Sequence, residues 1–324
     1  MEVVDTAESV PLLGRYEEAT AAKAIDTMEG TFGVHHGQRR NHTKGIGALG
    51  TFVGNPGAAK EFSRSRMFEG DSIEVVARFS LAGADPEAAD AERSARGLGL
   101  QFRLSDGSLQ HITMLHTPMF FAQMPKTFID KFTAVRPDPR TGTPKPAVVK
   151  AFLDSHPDNT AQFKFLTDIN PPVSYGSCAY FGIHTFKFVN RAGKATLVRW
   201  RFQPRDGEKN LTDAQLASMP RDFLNRALME RMQRGPVRWD MIVSIGEPGD
   251  SELDPTVLWP TTRREVNVGT LSLKSAIAQE HAASYKINFD PLVMADGIEP
   301  TDDPILLFRS PSYGLSYARR LRNL

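Results

Sequence analysis

Tyr313 follows Arg309 by four residues and precedes Arg320 by seven, all within the last sixteen residues of the chain. Ser310 suits an N-cap and Pro311 suits the first helical position, so a helix is predicted to begin there. Tyr313, Tyr317 and Arg320 then share one face, and Arg309, just before the helix, reaches back toward the phenol. A neighbouring cation and a hydrogen bond both favour the charged form of a phenol, whereas burial alone opposes it. A phenolate held in this way is a hard anionic ligand for ferric iron, and tyrosine is one of the residues that hold haem iron in proteins. The same residue types also fit a surface helix with aromatic and basic side chains, and alone they do not decide between the two.

A second stretch concentrates unusual residues: Arg39-Arg-Asn-His42-Thr-Lys-Gly45-Ile-Gly47-Ala-Leu-Gly50-Thr-Phe52. Three closely spaced glycines let a backbone approach something bulky or flat. His42 offers an acid/base group beside Asn41 and Arg39. The spacing does not fit a phosphate-binding P-loop, and no strand precedes the glycines as a dinucleotide fold requires. A glycine-rich loop with a structural histidine is the plain alternative.

The elements that must position these residues are mostly strands. Residues 72–81, 98–104, 182–190, 195–203 and 237–244 alternate apolar and polar side chains, the pattern of a strand with one buried face. Helices are expected at about 17–29, 146–155, 159–166 and 271–281. One more is expected at 212–232, interrupted by Pro220. Strands follow strands through short turns rather than alternating with helices. That favours an α+β fold built on an antiparallel sheet or barrel with added helices. No linker shows a composition shift, so residues 1–324 read as one domain with an N-terminal helix or arm over 1–29.

Composition narrows the class. With 40% hydrophobic and 24% charged residues the chain is an ordinary globular one, and its net charge of +1 points to no nucleic-acid partner. The single cysteine, Cys178, excludes an intramolecular disulfide and cluster sites that need several thiolates, and suits a reducing, cytoplasmic setting. No stretch approaches the roughly 20 apolar residues that span a bilayer. The acidic N-terminus lacks the pattern of a secretory signal.

Taken in order, the segments resemble the haem catalases. Residues 39–52 are similar to the distal motif of that family, in which an arginine precedes the essential histidine by three and AKGxGAxGxF follows. Ala77-Arg-Phe-Ser80 resembles VRFS, and Arg96-Gly97 followed by Gln101-Phe102 resembles RGFAVKF. Thr117-Pro-Met-Phe-Phe121 resembles TPIFF, and the stretch to Asn190 with His184-Thr-Phe-Lys resembles SHTFKLVN. Asp254 to Pro260 and Phe289 to Pro300 resemble later signatures. The terminal helix resembles RxxxYxxxxxxR. Lacking the long N-terminal arm and C-terminal extension of full-length catalases, the chain resembles the minimal, catalase-related peroxidase branch.

The resemblance implies a catalase-like antiparallel β-barrel with surrounding helices, and haem b as cofactor. Tyr313 would ligate the iron and Arg309 would hold its phenolate. Arg39, Arg78 and Arg320 would pair with the propionates. Phe121, Phe128 and Tyr317 would line the macrocycle. His42 would be the distal acid/base, oriented by Ser80. The implied activity is a haem peroxidase with weak catalase activity that works through a ferryl state on hydrogen peroxide, and on organic peroxides and small organic reductants. A homodimer or a monomer is expected.

Two positions depart from the family. His116 stands where the distal asparagine is expected, a candidate second distal polar group that is bulkier and able to titrate, and Asn41 is polar where an apolar residue is expected. A polar Asn41 is compatible with a second reading, the rearrangement of fatty-acid hydroperoxides of the allene oxide synthase type. A third is a β-barrel carrier of an apolar ligand, which needs no such paired polar groups. His184 reads as a structural core histidine.

Overall fold

The computed structural model describes residues 20–323. Eight strands run consecutively around a closed antiparallel barrel: β1 (Gly45–Gly54), β2 (Ser72–Leu81), β3 (Arg96–Arg103), β4 (Leu109–Leu115), β5 (Tyr180–Val189), β6 (Ala195–Pro204), β7 (Val237–Ile245) and β8 (Glu265–Ala278). β8 pairs back onto β1, and β4 meets β5 at Leu115 and Phe181, which closes the ring. A short β9 (Ile298–Pro300) adds to β5. Helices α1 (Ala21–Phe32), α2 (Pro56–Ala59), α3 (Pro125–Ala134), α4 (Pro146–Ser155), α5 (Thr160–Asp168), α6 (Asp213–Ser218), α7 (Leu224–Gln233) and α8 (Pro304–Leu321) complete the described residues.

The barrel is filled by its own side chains. Phe52, Phe79, Phe102, Tyr180, Phe202 and Trp239 are among the inward residues, all fully buried. Phe79 stacks on Tyr175 at 5.3 Å between centroids, and Phe52 meets Phe102 edge-on at 5.4 Å. An eight-stranded barrel is just wide enough for such packing. A filled interior leaves no room there for an apolar cargo, which removes the main physical basis of the carrier reading.

The outer face of the barrel matters more. Along β2, burial alternates at the start and becomes continuous from Ala77 to Leu81. Ala77 and Phe79 point inward, so Arg78 and Ser80 point outward, yet both are buried. Something therefore covers the outer face there. Close to the strand the cover is the 42–43 segment and the turns at 279–286, which meet Ser80 and Arg78 directly; beyond them α1, α3 and α8 pack together through a separate apolar cluster that includes Ile25, Met28, Phe121, Phe132 and Ile305.

Three local expectations are corrected. The glycine-rich stretch from Gly45 is not a loop but β1, and its glycines face protein: a Cβ on Gly47 would sit 2.7 Å from Ser284 Oγ, and one on Gly50 would strike the β8 backbone. Residues 271–278 are strand β8 rather than helix. Leu271 and Leu273 are buried while Lys274 is exposed, and pairing on both sides outweighs the helix propensity of Lys and Ala. The terminal helix begins earlier than Ser310. Asp303 caps it, with Oδ1 accepting from Ile305 N at 2.8 Å, Pro304 opens it, and Pro311 lies inside it. The expected first helix starts at Ala21 with Thr20 as cap, and the part of the N-terminal arm before residue 20 lies outside the described residues.

Candidate active site

A cavity of about 600 Å³ lies between the outer face of β2–β4 and helices α1, α3 and α8, within the usual size range of small-molecule sites. His42, Asn41, Arg39, Arg78, Ser80, Phe121, Phe128, Arg309, Tyr313, Tyr317 and Arg320 all line it. Eleven of the twelve residues singled out from the sequence thus meet in one place.

Because Arg309 sits inside α8 rather than before it, it is one helical turn from Tyr313 and on the same face. Its Nη2 donates to Tyr313 Oη at 2.8 Å and to Thr113 Oγ1 at 2.7 Å. Its Nη1 is 3.0 Å from His184 Nε2. A guanidinium can only donate, so His184 Nε2 accepts and its proton resides on Nδ1, facing Asp303 Oδ2 at 2.6 Å. Burial holds His184 below its ordinary value against the pull of Asp303, so the ring stays neutral. The result is a chain of hydrogen bonds that diverges from Arg309, one arm donated through His184 to Asp303 and the other donated to the phenol oxygen.

His42 is built differently. It adopts φ 55°, the left-handed region that non-glycine residues seldom occupy. Its backbone is held from both ends: Asn41 Oδ1 accepts His42 N at 2.8 Å, and Arg78 Nη2 donates to His42 O at 2.8 Å. Asn41 Oδ1 also accepts Gly83 N at 2.8 Å, which leaves the amide nitrogen as its remaining donor. The imidazole Nδ1 lies 2.9 Å from Ser80 Oγ. Gly97 makes room for this pair, because a Cβ there would lie 2.7 Å from Ser80 Oγ and 2.9 Å from His42 Nδ1. Burial, reinforced by the charges of Arg78, Arg309 and Arg39, pushes His42 down to about 3, so its imidazole is neutral at physiological pH. The tautomer that donates Nδ1–H to Ser80 presents the Nε2 lone pair as a base.

Arg39, Arg78 and Arg320 gather without a carboxylate partner among the described residues. Arg39 Nη2 donates to the carbonyls of Ser284 and Ile287, and Arg78 Nη2 to those of His42 and Thr43 and to Gln279 Oε1. Arg78 Nε is buried with no partner. Arg320 packs on the rings of Tyr317 and Tyr285, and Tyr317 Oη donates to Lys286 O. Burial and the charges of Arg78 and Arg320 push Arg39 down to about 8. Arginine keeps its proton at neutral pH, so this push expresses a demand for counter-anions. Phe121 and Phe128 supply a near-stacked aromatic wall, 5.6 Å between centroids.

His116 is the exception. It does not line the cavity; its Nδ1 accepts Arg96 N at 3.0 Å and its ring meets Phe165 edge-on. His116 is thus a structural histidine, and Leu115 rather than a polar group faces the site from this strand end. Sequence reasoning missed the partners of Arg309, namely Thr113, His184 and Asp303. Asp303 was accessible from its place before Pro304, a helix-start signal. His184 belonged to a recognised strand, but its partner lies 125 residues away.

The catalase family model matches residues 34–323. The chain belongs to the catalase family. A catalase-related peroxidase from Synechococcus elongatus is 52% identical over 94% of this chain and 90% of its own length. A second protein of that name, from Mycolicibacterium paratuberculosis, is 33% identical over 93% of this chain and 95% of its own. A solved bacterial catalase superposes with a TM-score of 0.80 at 24% identity, covering 89% of this chain and 58% of that one. The minimal catalase-related branch of the family is where these relatives put the chain, and the barrel with its covering helices is the catalase fold.

Proposed function

We propose that this catalase-family enzyme is a haem peroxidase with catalase-like activity on peroxide, and that its haem is haem b held in the cavity behind β2–β4. The observation that carries the reading is the gathering, in one cavity, of a phenol fed by an arginine donor, a neutral histidine, and three arginines that lack carboxylates. A flat apolar macrocycle bearing two carboxylates fits that set, with an aromatic wall for the ring and guanidiniums for the carboxylates. Bound haem supplies the redox-active iron that takes up the oxidising equivalents of peroxide.

In this reading Tyr313 would hold the iron, and Arg309, fixed by His184 and Asp303, would keep negative charge on its oxygen. Arg39, Arg78 and Arg320 hold the propionates, and Phe121, Phe128 and Tyr317 flank the ring. His42 Nε2 would take the proton from one peroxide oxygen and return it to the far one, which leaves as water, while bound haem would supply the two reducing equivalents that O–O cleavage needs. Proton transfer of this kind contributes about 10²–10⁴ in rate. Ser80 fixes the ring orientation, and Arg78 and Asn41 fix the backbone that carries it.

A second reading, rearrangement of fatty-acid hydroperoxides, is favoured by one observation, the Asn41 amide in the cavity, where it can hydrogen-bond an oxygen and restrain peroxide oxidation. We take small organic reductants as the donors, a cytoplasmic location, and a monomer or homodimer as the assembly. No helix among the described residues is long and apolar enough to cross a membrane.

Reconstitution tests the roles. Wild-type protein given haem should show a Soret band, which Tyr313→Phe should shift or lose. His42→Ala should keep the band and slow the reaction with hydrogen peroxide by about 10²–10⁴. Full speed in His42→Ala would remove His42 from the mechanism. Oxygen evolution set against donor oxidation at equal peroxide separates catalase from peroxidase turnover, and product analysis with a fatty-acid hydroperoxide tests the second reading.

A further inference from the structure

Lys131 of α3 is a cation in the cavity that the proposed chemistry does not use. It lines the cavity beside Phe121, Phe128 and Phe132, with its ammonium 3.8 Å from the Phe121 ring centroid. No acceptor or carboxylate partners it among the described residues. The neighbouring carboxylate, Asp130, is engaged by Lys126 at 2.6 Å and faces His156 at 3.3 Å. Burial pushes Lys131 down to about 8, with no opposing partner. A lysine placed only to solvate the surface would extend its head into water. This one keeps its head on an aromatic face, in a cavity that Met28 and Phe32 also line. The cation–π contact offsets part of its desolvation, and an anion would offset more.

We propose that Lys131 is the anchor for the carboxylate of an amphipathic organic ligand, whose apolar body lies along Met28, Phe32, Phe120 and Phe132, which the haem reading leaves unused. The three propionate-holding arginines are a separate set, so the Lys131 site accepts a second anion. Its ligand is a carboxylate-bearing hydroperoxide or a carboxylate-bearing reductant, which share the recognised chemistry. This deepens the peroxidase reading by naming its substrate class, and rests on that reading for the chemistry after binding.

Calorimetry with haem-loaded protein tests the anchor, using dodecanoate and dodecanol as probes of equal chain length. Wild-type protein should bind dodecanoate about tenfold or more tightly than dodecanol. Lys131→Met should bring the two affinities together, and Lys131→Arg should restore the preference. An equal preference for dodecanoate in wild type and Lys131→Met, or none in wild type, overturns the proposal. The Soret band of the same samples reports separately on haem, so failure of the peroxidase reading is visible independently of the anchor. The source of the ligand is read from KM ratios between an acid and its methyl ester. A ratio that collapses in Lys131→Met for the hydroperoxide identifies the peroxide substrate, and one that collapses for the reductant at fixed hydrogen peroxide identifies the donor.

Discussion

His42 holds its imidazole neutral by burial and by three nearby guanidiniums, which sets the sign of a pH prediction. A depressed value means that the free base persists as pH falls, and is lost only on approach to about 3. The stopped-flow rate with peroxide should therefore pass through the ordinary histidine range near ~6.5 without a decline. A fall with an apparent value near there would show that the ring is not buried as described. Gly97 gives a second prediction. Gly97→Ala places a methyl group against Ser80 Oγ and His42 Nδ1. The rate with peroxide should drop about 10²-fold while haem content, read from the Soret band, is kept. The identities of Tyr313, Arg309, His42 and Ser80 were legible because each sits in a short motif. His116 was misread as a distal group because counting along a motif does not say which way the residue just past the end of β4 points.

At the scale of elements, α1 joins the two halves of the site. Glu29 accepts from Arg40 at 2.6 Å, next to the His42 loop, and from Arg319 at 2.6 Å, on the tyrosine helix α8. Asp26 adds a second contact to Arg319 at 2.6 Å. Ala24, Ile25 and Met28 of the same helix line the cavity. A single carboxylate that ties both neighbours makes α1 a strap over the site. Glu29→Gln should loosen it, and haem should transfer to excess apomyoglobin about tenfold faster than from wild type, a difference of roughly 1.4 kcal/mol. An unchanged transfer rate would mean that the apolar face of α1 holds the strap alone. Strands with one more open face were readable from their alternation, as β7 and the first half of β2 illustrate. β1 was hidden by its glycines and β8 by its helix-forming residues, since their strand state comes from partners on both sides.

Across the whole molecule, the filled barrel is the scaffold on which the site is built. Trp239 is fully buried and its Nε1 donates to Cys178 O at 3.3 Å. Trp239→Ala should cost about 3–5 kcal/mol, read from denaturant midpoints at constant slope. We propose that the chain folds as one domain, because the cavity takes residues from positions 24 to 320. Haem-free protein should unfold in one cooperative transition, coincident by tryptophan fluorescence and far-ultraviolet circular dichroism. Two separated transitions would divide it.

The sequence by itself determined the family, the barrel-with-helices class and the residue types of the site. Those follow from local motifs and from the period-two alternation that a half-buried strand imposes. Only the tertiary structure decided which residues share the cavity, because partners such as Arg309 and His184 lie far apart in the chain. It turned His116 away, drew in His184 and Asp303, and left Lys131 without an anion. The physical reason is that burial and charge compensation are properties of packed surroundings, and neither is written at any single position.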